Sequence, residues 1–240
     1  MTTAQIPVVR YRIVGVYQSV QPGDAAGVSG QYLMGRDIVG VPMRRYIEDA
    51  SLDLSAPNTC VLDFTGVKDI SASVAEELGP MLLTTFSARS YPDAERYLVY
   101  ANLSRDARLG LDDEFRRTGQ AALAIIASDG TERVRQPQPG APPWIDLLGP
   151  PMPRPLQDIV IQCYRHGRIT SGDVADGTSL GAASKKLTDL YERYPGMLHR
   201  VKVYGESGAR SWQYVYYPVV PTDTTMLART PYQQIEPIGA

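Results

Sequence analysis

Two cysteines, two histidines and a net charge of only −2 in 240 residues set the first limits on this chain. Cys60 and Cys163 lie in apolar contexts, NTCVLDF and IVIQCYR. They have neither the spacing of a metal site nor the density of a disulfide scaffold, so both read as buried free thiols. No apolar run approaches the roughly 20 residues needed to span a bilayer, and the opening MTTAQIPVVRYR lacks the basic region and apolar stretch of a signal peptide. The expectation is a cytoplasmic protein without a membrane partner. There is no Walker loop, no GxGxxG after a strand, no nucleophile elbow and no His-rich ligand set, so nothing points to a metal, a cofactor or an enzyme. His166 and His199 read as surface or phosphate-contacting residues. Asp63 and Asp69 flank one turn; a paired-acid site is one reading, and satisfaction of backbone donors at a strand end by Asp63 is the plainer one.

What is present is the balance of a soluble globular protein, 43% hydrophobic and 21% charged, with enough chain for one large domain or two modest ones. Near-neutrality argues against a general nucleic-acid coat but allows a local basic face. Residues 1–150 hold 14 Lys and Arg against 18 Asp and Glu, and 151–240 hold 10 against 8. Between the two lies RVRQPQPGAPPWIDLLGPPMPRP, with prolines at 137, 139, 142, 143, 150, 151, 153 and 155. Proline lacks an amide donor and fixes φ, so this stretch reads as a stiff connector whose apolar island WIDLL docks on a neighbouring domain. The expected layout is an α/β domain over 1–135, a Pro-rich linker over 136–155, a second domain over 156–218 and a flexible or draped tail over 219–240.

In the first part, VVRYRIVGVYQSV is rich in β-branched and aromatic residues and QPGDAAGVSG supplies a turn before QYLMG, which predicts a hairpin or meander. Ile38, Val39, Met43, Tyr46 and Ile47 fall at helical intervals, with Pro42 near a first turn or kink. TCVLDF is a continuous apolar run, the pattern of a strand covered on both faces. A helix follows, with Ser71 or Ser73 as cap, Glu76 and Glu77 near its positive end, and Val74, Leu78, Met81 and Leu82 inward. RYLVYAN, an amphipathic SRDARLGLDDEFRRTG and AALAIIA complete an alternation of strands and helices, hence a layered α/β sheet.

The segment VLDFTGVKDISASVAEEL, preceded by GRDIVGVPMRRYIED, resembles the STAS-like domains of bacteria, a family allied to the anti-sigma-factor antagonists. The resemblance covers about 35–110 and rests on the Asp-Phe-x-Gly-Val turn and the Ser-x-Ser-x-Ala-Glu-Glu-Leu helix start. It implies partner binding by this domain, which in the antagonists is switched by phosphorylation of a serine at the helix start. Ala72 stands where that serine would fall, with Ser71 and Ser73 on either side as alternative phosphorylation sites.

In the second part, Leu156, Ile159, Val160 and Cys163 form one helical stripe that Gly167 ends. Ile169 reads as a staple and Thr170 or Ser171 as the cap of a short second helix carrying Val174 and Ala175 inward. A third helix buries Ala183, Leu187, Leu190 and Tyr191. Leu198, Arg200, Lys202 and Tyr204 then alternate across a Gly-rich turn to Trp212, Tyr214 and Tyr216, the period of a two-stranded ribbon. The aromatic run reads as hairpin packing, with a base-stacking platform as the alternative.

Three helices and a hairpin resemble a winged helix-turn-helix domain over 156–218. Carried over residue by residue, the resemblance makes Ala182, Ser184, Lys185 and Thr188 groove-facing candidates, with Lys186 flanking them. It makes Arg200, Lys202 and Arg210 wing contacts, and brings Arg165, His166 and Arg168 to the DNA backbone. Ser and Thr let a helix approach base edges, and Lys supplies charge to phosphates or guanine acceptors. Over 165–210 there are 8 Lys and Arg against 5 Asp and Glu, a modest footprint, so a homodimer reading two half-sites of double-stranded DNA is expected. Two functions follow from these features. One is a sequence-specific transcriptional regulator whose STAS-like domain dimerises or senses a signal. The other is an interaction adaptor in a partner-switching or defence circuit, with the winged helix docking protein.

Overall fold

The structure, a computed structural model, describes residues 6–23, 29–52, 57–88, 95–126, 144–175, 177–204, 212–222 and 230–233. Strand β1 (Val8–Arg12) runs directly into helix α1 (Ile13–Val20). The β-branched composition had suggested a longer strand and a hairpin. Instead Ile13, Val16 and Tyr17 recur at helical steps and are buried together, so the core they share overrides local propensity. The two-residue β2 (Tyr32–Leu33) pairs not with β1 but with a later short strand. A π-helical turn at Arg36–Gly40 runs without a break into α2 (Val41–Leu52); Pro42 at this junction has no amide to donate back along the helix, and the Ile38 carbonyl four residues earlier accepts from the Gln21 side-chain amide instead. Next come β3 (Asn58–Asp63), buried along its whole length, and β4 (Asp69–Ile70), the partner of β2.

Helix α3 (Ala72–Glu76) passes through a second π-helical turn, kinked at Gly79 before Pro80, into α4 (Leu82–Ala88). Strand β5 (Arg96–Ala101) is followed by α5 (Arg105–Thr118), capped by the Ser104 hydroxyl accepting from the Ala107 amide at 3.2 Å. Then come β6 (Ala122–Ile126) and β7 (Trp144–Leu148). The main sheet has the order β1-β3-β5-β6-β7; the first four strands are parallel and β7 is antiparallel to β6. Thus part of the stretch expected to be a connector is an edge strand. WIDLL contains no proline, so every residue keeps the amide that a ladder requires, and the free edge of β6 supplies the partner that makes it a strand. Gly149 closes this strand at φ 97°, donating its amide to Asp112 Oδ1 at 2.7 Å, and a Cβ there would lie 2.2 Å from the Gln120 carbonyl oxygen.

The remaining elements are α6 (Arg154–His166), β8 (Ile169–Thr170), α7 (Ser171–Val174), α8 (Leu180–Arg193), β9 (Leu198–Tyr204) and β10 (Trp212–Pro218). Helix α6 begins at Pro153 and Pro155 and ends at the left-handed Gly167. Helix α7 starts where Asp173 accepts from both the amide and the hydroxyl of Thr170, and α8 where Ser179 Oγ accepts from the Ala182 amide. β10 lies between β8 and β9 in an antiparallel three-stranded sheet.

The parallel strands lie in chain order. Crossovers of constant hand between strands that advance in one direction place their helices on one face, leaving the other bare. The burial pattern matches this. Cys60 and Leu62, Leu98 and Tyr100, and Ala122 and Ala124 meet α1 to α5 in one core. The alternate residues Val61, Tyr97, Val99, Leu123 and Ile125 form a second core with Ile159, Val160, Cys163 and Tyr164 of α6, Leu187 and Leu190 of α8, and Tyr216. The C-terminal half therefore covers the sheet's second face. The segment after β10 takes part: Val219 and Val220 are buried, and Thr59 Oγ1 donates to the Val219 carbonyl. Farther on, Gln233 donates its amide to the Arg10 carbonyl at 2.8 Å beside β1. Where described, the expected tail is packed rather than free. Among the described residues no helix is long and apolar enough to cross a membrane.

Replacing Gly149 with Ala should destabilise the protein by more than about 2 kcal/mol, because the side chain meets both a left-handed φ and a carbonyl oxygen. Urea unfolding of the variant beside the native chain measures this.

Candidate nucleic-acid interface

Helix α8 has two unlike sides. Ala183, Leu187 and Leu190 are buried in the second core or beside it, whereas Ala182, Ser184 and Lys185 are exposed and Lys186 and Thr188 half-buried. Ser184, Thr188 and Tyr191 follow one another at helical spacing, so they form one stripe. Its continuation comes from the hairpin. The Arg200 guanidinium sits over the Tyr191 ring at 4.1 Å and over the Tyr214 ring at 4.3 Å, tying β9 and β10 to α8. Lys202 Nζ lies 4.3 Å from the Trp212 ring centroid and 5.3 Å from that of Tyr204. Register explains the pattern: Arg200 opposes Tyr216, Lys202 opposes Tyr214 and Tyr204 opposes Trp212, placing all six on one face of the hairpin.

Arg165, His166 and Arg168 are exposed around the end of α6. Among the described residues, Arg165, Arg168, Lys185, Lys186, Arg200 and Lys202 make no ion pair with a carboxylate. Arg210 lies outside the described residues. Contact between the hairpin cations and α8 runs through Arg200 on Tyr191. Sequence periodicity located these side chains but missed that contact, which forms across the end of a helix. It also missed Leu180, which projects from the start of α8 at 62% exposure.

His199 differs from the expectation of a surface or phosphate-contacting residue. It is buried, with Nδ1 at 2.9 Å from Tyr97 Oη and 3.0 Å from Glu95 Oε2. Glu95 also accepts from the hydroxyls of Tyr97 and Tyr191. This cluster joins the parallel sheet to α8 and β9. Burial works to raise the Glu95 pKa, but hydrogen bonds from His199, Tyr191 and Tyr97 hold it below the ordinary carboxylate range. Burial, reinforced by Glu95, pushes both Tyr97 and Tyr191 upward, keeping them as neutral donors.

A second polar cluster lies at the end of β3. Asp63 pairs with Arg10 at 2.5 Å, both fully buried. Its Oδ1 accepts from the Thr65 amide at 2.9 Å, the Thr65 hydroxyl at 2.7 Å and Asn102 at 3.0 Å, and its Oδ2 from the Tyr232 hydroxyl at 2.7 Å. Burial raises the Asp63 pKa; Thr65, Asn102 and Tyr232 more than offset it, and the net shift is downward. Asp63 thus satisfies strand-end donors, as its position suggested. Asp69 instead accepts from the Ile70 amide at 2.8 Å.

Ser71 occupies the residue before α3, yet its hydroxyl makes no capping bond; it meets the Ser73 hydroxyl at 3.2 Å, and both residues are half-buried. The expected side-chain cap is thus not formed: the Ser71 carbonyl takes the ordinary first helical bonds, from the Val74 and Ala75 amides at 3.0 and 2.8 Å, while the hydroxyl is engaged with Ser73. Glu77, buried, is paired with Arg36 and Arg44, each at 2.7 Å. Cys60 and Cys163 are buried free thiols, and burial pushes Cys60 up to about 12. Compared with known proteins, the chain matches no family model, no curated protein and no solved structure.

Because the folded pKa values of Asp63 and Glu95 lie below their unfolded ones, both groups contribute fully above about pH 4.3 and progressively less as pH falls through the folded values. Urea unfolding followed from pH 7 to pH 3 should show that loss. Asp63→Asn should cost about 3–5 kcal/mol at pH 7, since it removes the carboxylate charge facing the buried Arg10 cation.

Proposed function

We propose that this protein is a sequence-specific DNA-binding transcriptional regulator. The C-terminal elements act as a winged helix-turn-helix, and the STAS-like half dimerises or senses a partner. The element order α6-β8-α7-α8-β9-β10, with β10 pairing both β8 and β9, supports the winged-helix assignment. Alternation of parallel strands with helices, and the passage from β3 through a turn to α3, support the STAS-like assignment. The observation that carries the functional proposal is the side of α8 that stays out of the core. It offers Ala182, Ser184, Lys185 and Thr188, with Lys186 at its edge, and continues through Tyr191 to Arg200 and Lys202. Short hydroxyl residues admit a helix to base edges, and cations that have no carboxylate partner among the described residues are available to phosphates.

One such module offers few phosphate contacts, so a dimer reading two half-sites is part of the proposal. Tyr32, Met34, Ile38 and Met81, the last of which helical spacing alone would put inward, are exposed around two neighbouring turns of the N-terminal half, and they supply apolar surface that a twofold contact would bury. The same surface favours a second function, an adaptor that binds a protein through its STAS-like half; Ser71 and Ser73 at the start of α3 would then be its phosphorylation sites.

Lys185→Glu combined with Lys186→Glu should weaken binding to genomic DNA fragments by at least about tenfold in mobility-shift assays and flatten its salt dependence, while leaving thermal stability almost unchanged. Unchanged DNA affinity would count against the regulator. Capture of a stoichiometric protein partner, without salt-sensitive DNA binding, would favour the adaptor. Ile38→Asp should shift a dimer to monomer in analytical ultracentrifugation if the exposed apolar turns form the twofold contact.

A further inference from the structure

The hairpin holds its cations in an unusual way. Arg200 is enclosed by Tyr191 and Tyr214, and Lys202 lies against Trp212 and Tyr204. Trp212 and Tyr214 in turn pack edge to face, with ring centroids 5.1 Å apart and ring planes at 69°. Aromatic surface and positive charge therefore alternate from Tyr191 outward along one face of β9 and β10. The inner end is packed: Tyr216 and Leu198 are buried. The outer end is not, for Trp212 is 50% and Tyr204 59% exposed. A hairpin that needed aromatics only for its own packing would bury its largest ring rather than leave half of it in water. Cations that served only solubility would not be fixed over rings, where their approach to a partner is set in advance.

We infer that this outer end is a binding site for unpaired nucleotides: bases stack on Trp212 and Tyr204 while Lys202 and Arg200 hold the adjoining phosphates. The charge complementarity is specific to a polyanion that also carries flat π surfaces. Single-stranded nucleic acid combines both in every nucleotide, whereas a closed duplex hides its base faces. The inference deepens the DNA-binding proposal and rests on it, with α8 engaging duplex and the hairpin engaging an opened or frayed strand beside it.

The test uses the full chain and three labelled probes: a thymidine strand of about 30 nucleotides, a closed duplex taken from the genomic fragments that bind best in the mobility-shift assay, and the same duplex carrying a thymidine fork. Fluorescence anisotropy should give tighter binding to the fork than to the closed duplex. Trp212→Ala should remove on the order of tenfold affinity for the strand and the fork while changing closed-duplex affinity by less than about twofold. Trp212→Phe, which keeps a stackable ring, should restore most of the loss, separating stacking from a folding defect. Lys202→Gln should lower the salt dependence of strand binding. Equal affinity for fork and duplex, or an equal loss on both in Trp212→Ala, overturns the inference and leaves the duplex-binding proposal standing. Strand binding without duplex binding sustains the inference and defeats that proposal. Binding of none of the three probes defeats both.

Discussion

A parallel sheet whose strands follow one another in chain order is covered by its own crossover helices on one face only, and the structure is organised around the need to cover the other. Val61, Tyr97, Val99, Leu123 and Ile125 all point to that second face. An exposed surface of this kind would be strongly adhesive, so some part of the chain must lie on it. The part that does is the C-terminal half, through α6, α8 and the residues just after β10. The antiparallel β7 feeds directly into that half, since it ends at Gly149 just before α6 begins.

Covering the sheet has a consequence for α8. Its buried side is committed to the core, and Tyr191 is held by Glu95 in the polar cluster with Tyr97 and His199. What remains available is the side carrying Ser184, Lys185 and Thr188 and the far end of the hairpin. The polar cluster is therefore more than a satisfied set of donors. It fixes the rotation of α8 against the sheet, and through Arg200 stacked on Tyr191 it also fixes where the hairpin stands. Glu95 and Tyr97 of the N-terminal half are thus joined through Tyr191 and Arg200 to α8 and the hairpin by one continuous set of contacts.

Much of this was legible in the residues. The largely apolar stretch TCVLDF at 59–64 announced a doubly covered strand, Gly167 announced the end of α6, and alternation at 198–204 and 212–216 announced the hairpin and its faces. These features were readable because each rests on a local rule: a buried period, a left-handed glycine, a pleat. Three others were not. IVGVYQSV has the composition of a strand, and only the core it enters makes it α1. WIDLL sits among prolines, and only the free edge of β6 recruits it as β7. Residues 219–220 and 230–233 have no apolar periodicity, yet Val219, Val220 and Tyr232 are held by contacts with Thr59, Tyr164, Arg10 and Asp63, all distant in the chain. The same holds for His199, whose burial depends on Glu95 and Tyr97, far back in the N-terminal half.

The sequence by itself determined the mixed α/β class, the elements whose period is local, among them β3, α6 and the hairpin strands, the buried state of the two thiols and the identity of the cations on α8 and the hairpin, because periodicity, capping and composition act within a few residues. Tertiary structure alone decided which face of the sheet each half would cover, that a proline-flanked island would become a strand, and which aromatic ring each cation would stack on. Those outcomes depend on contacts between residues far apart in the chain, and no short window of sequence contains both partners.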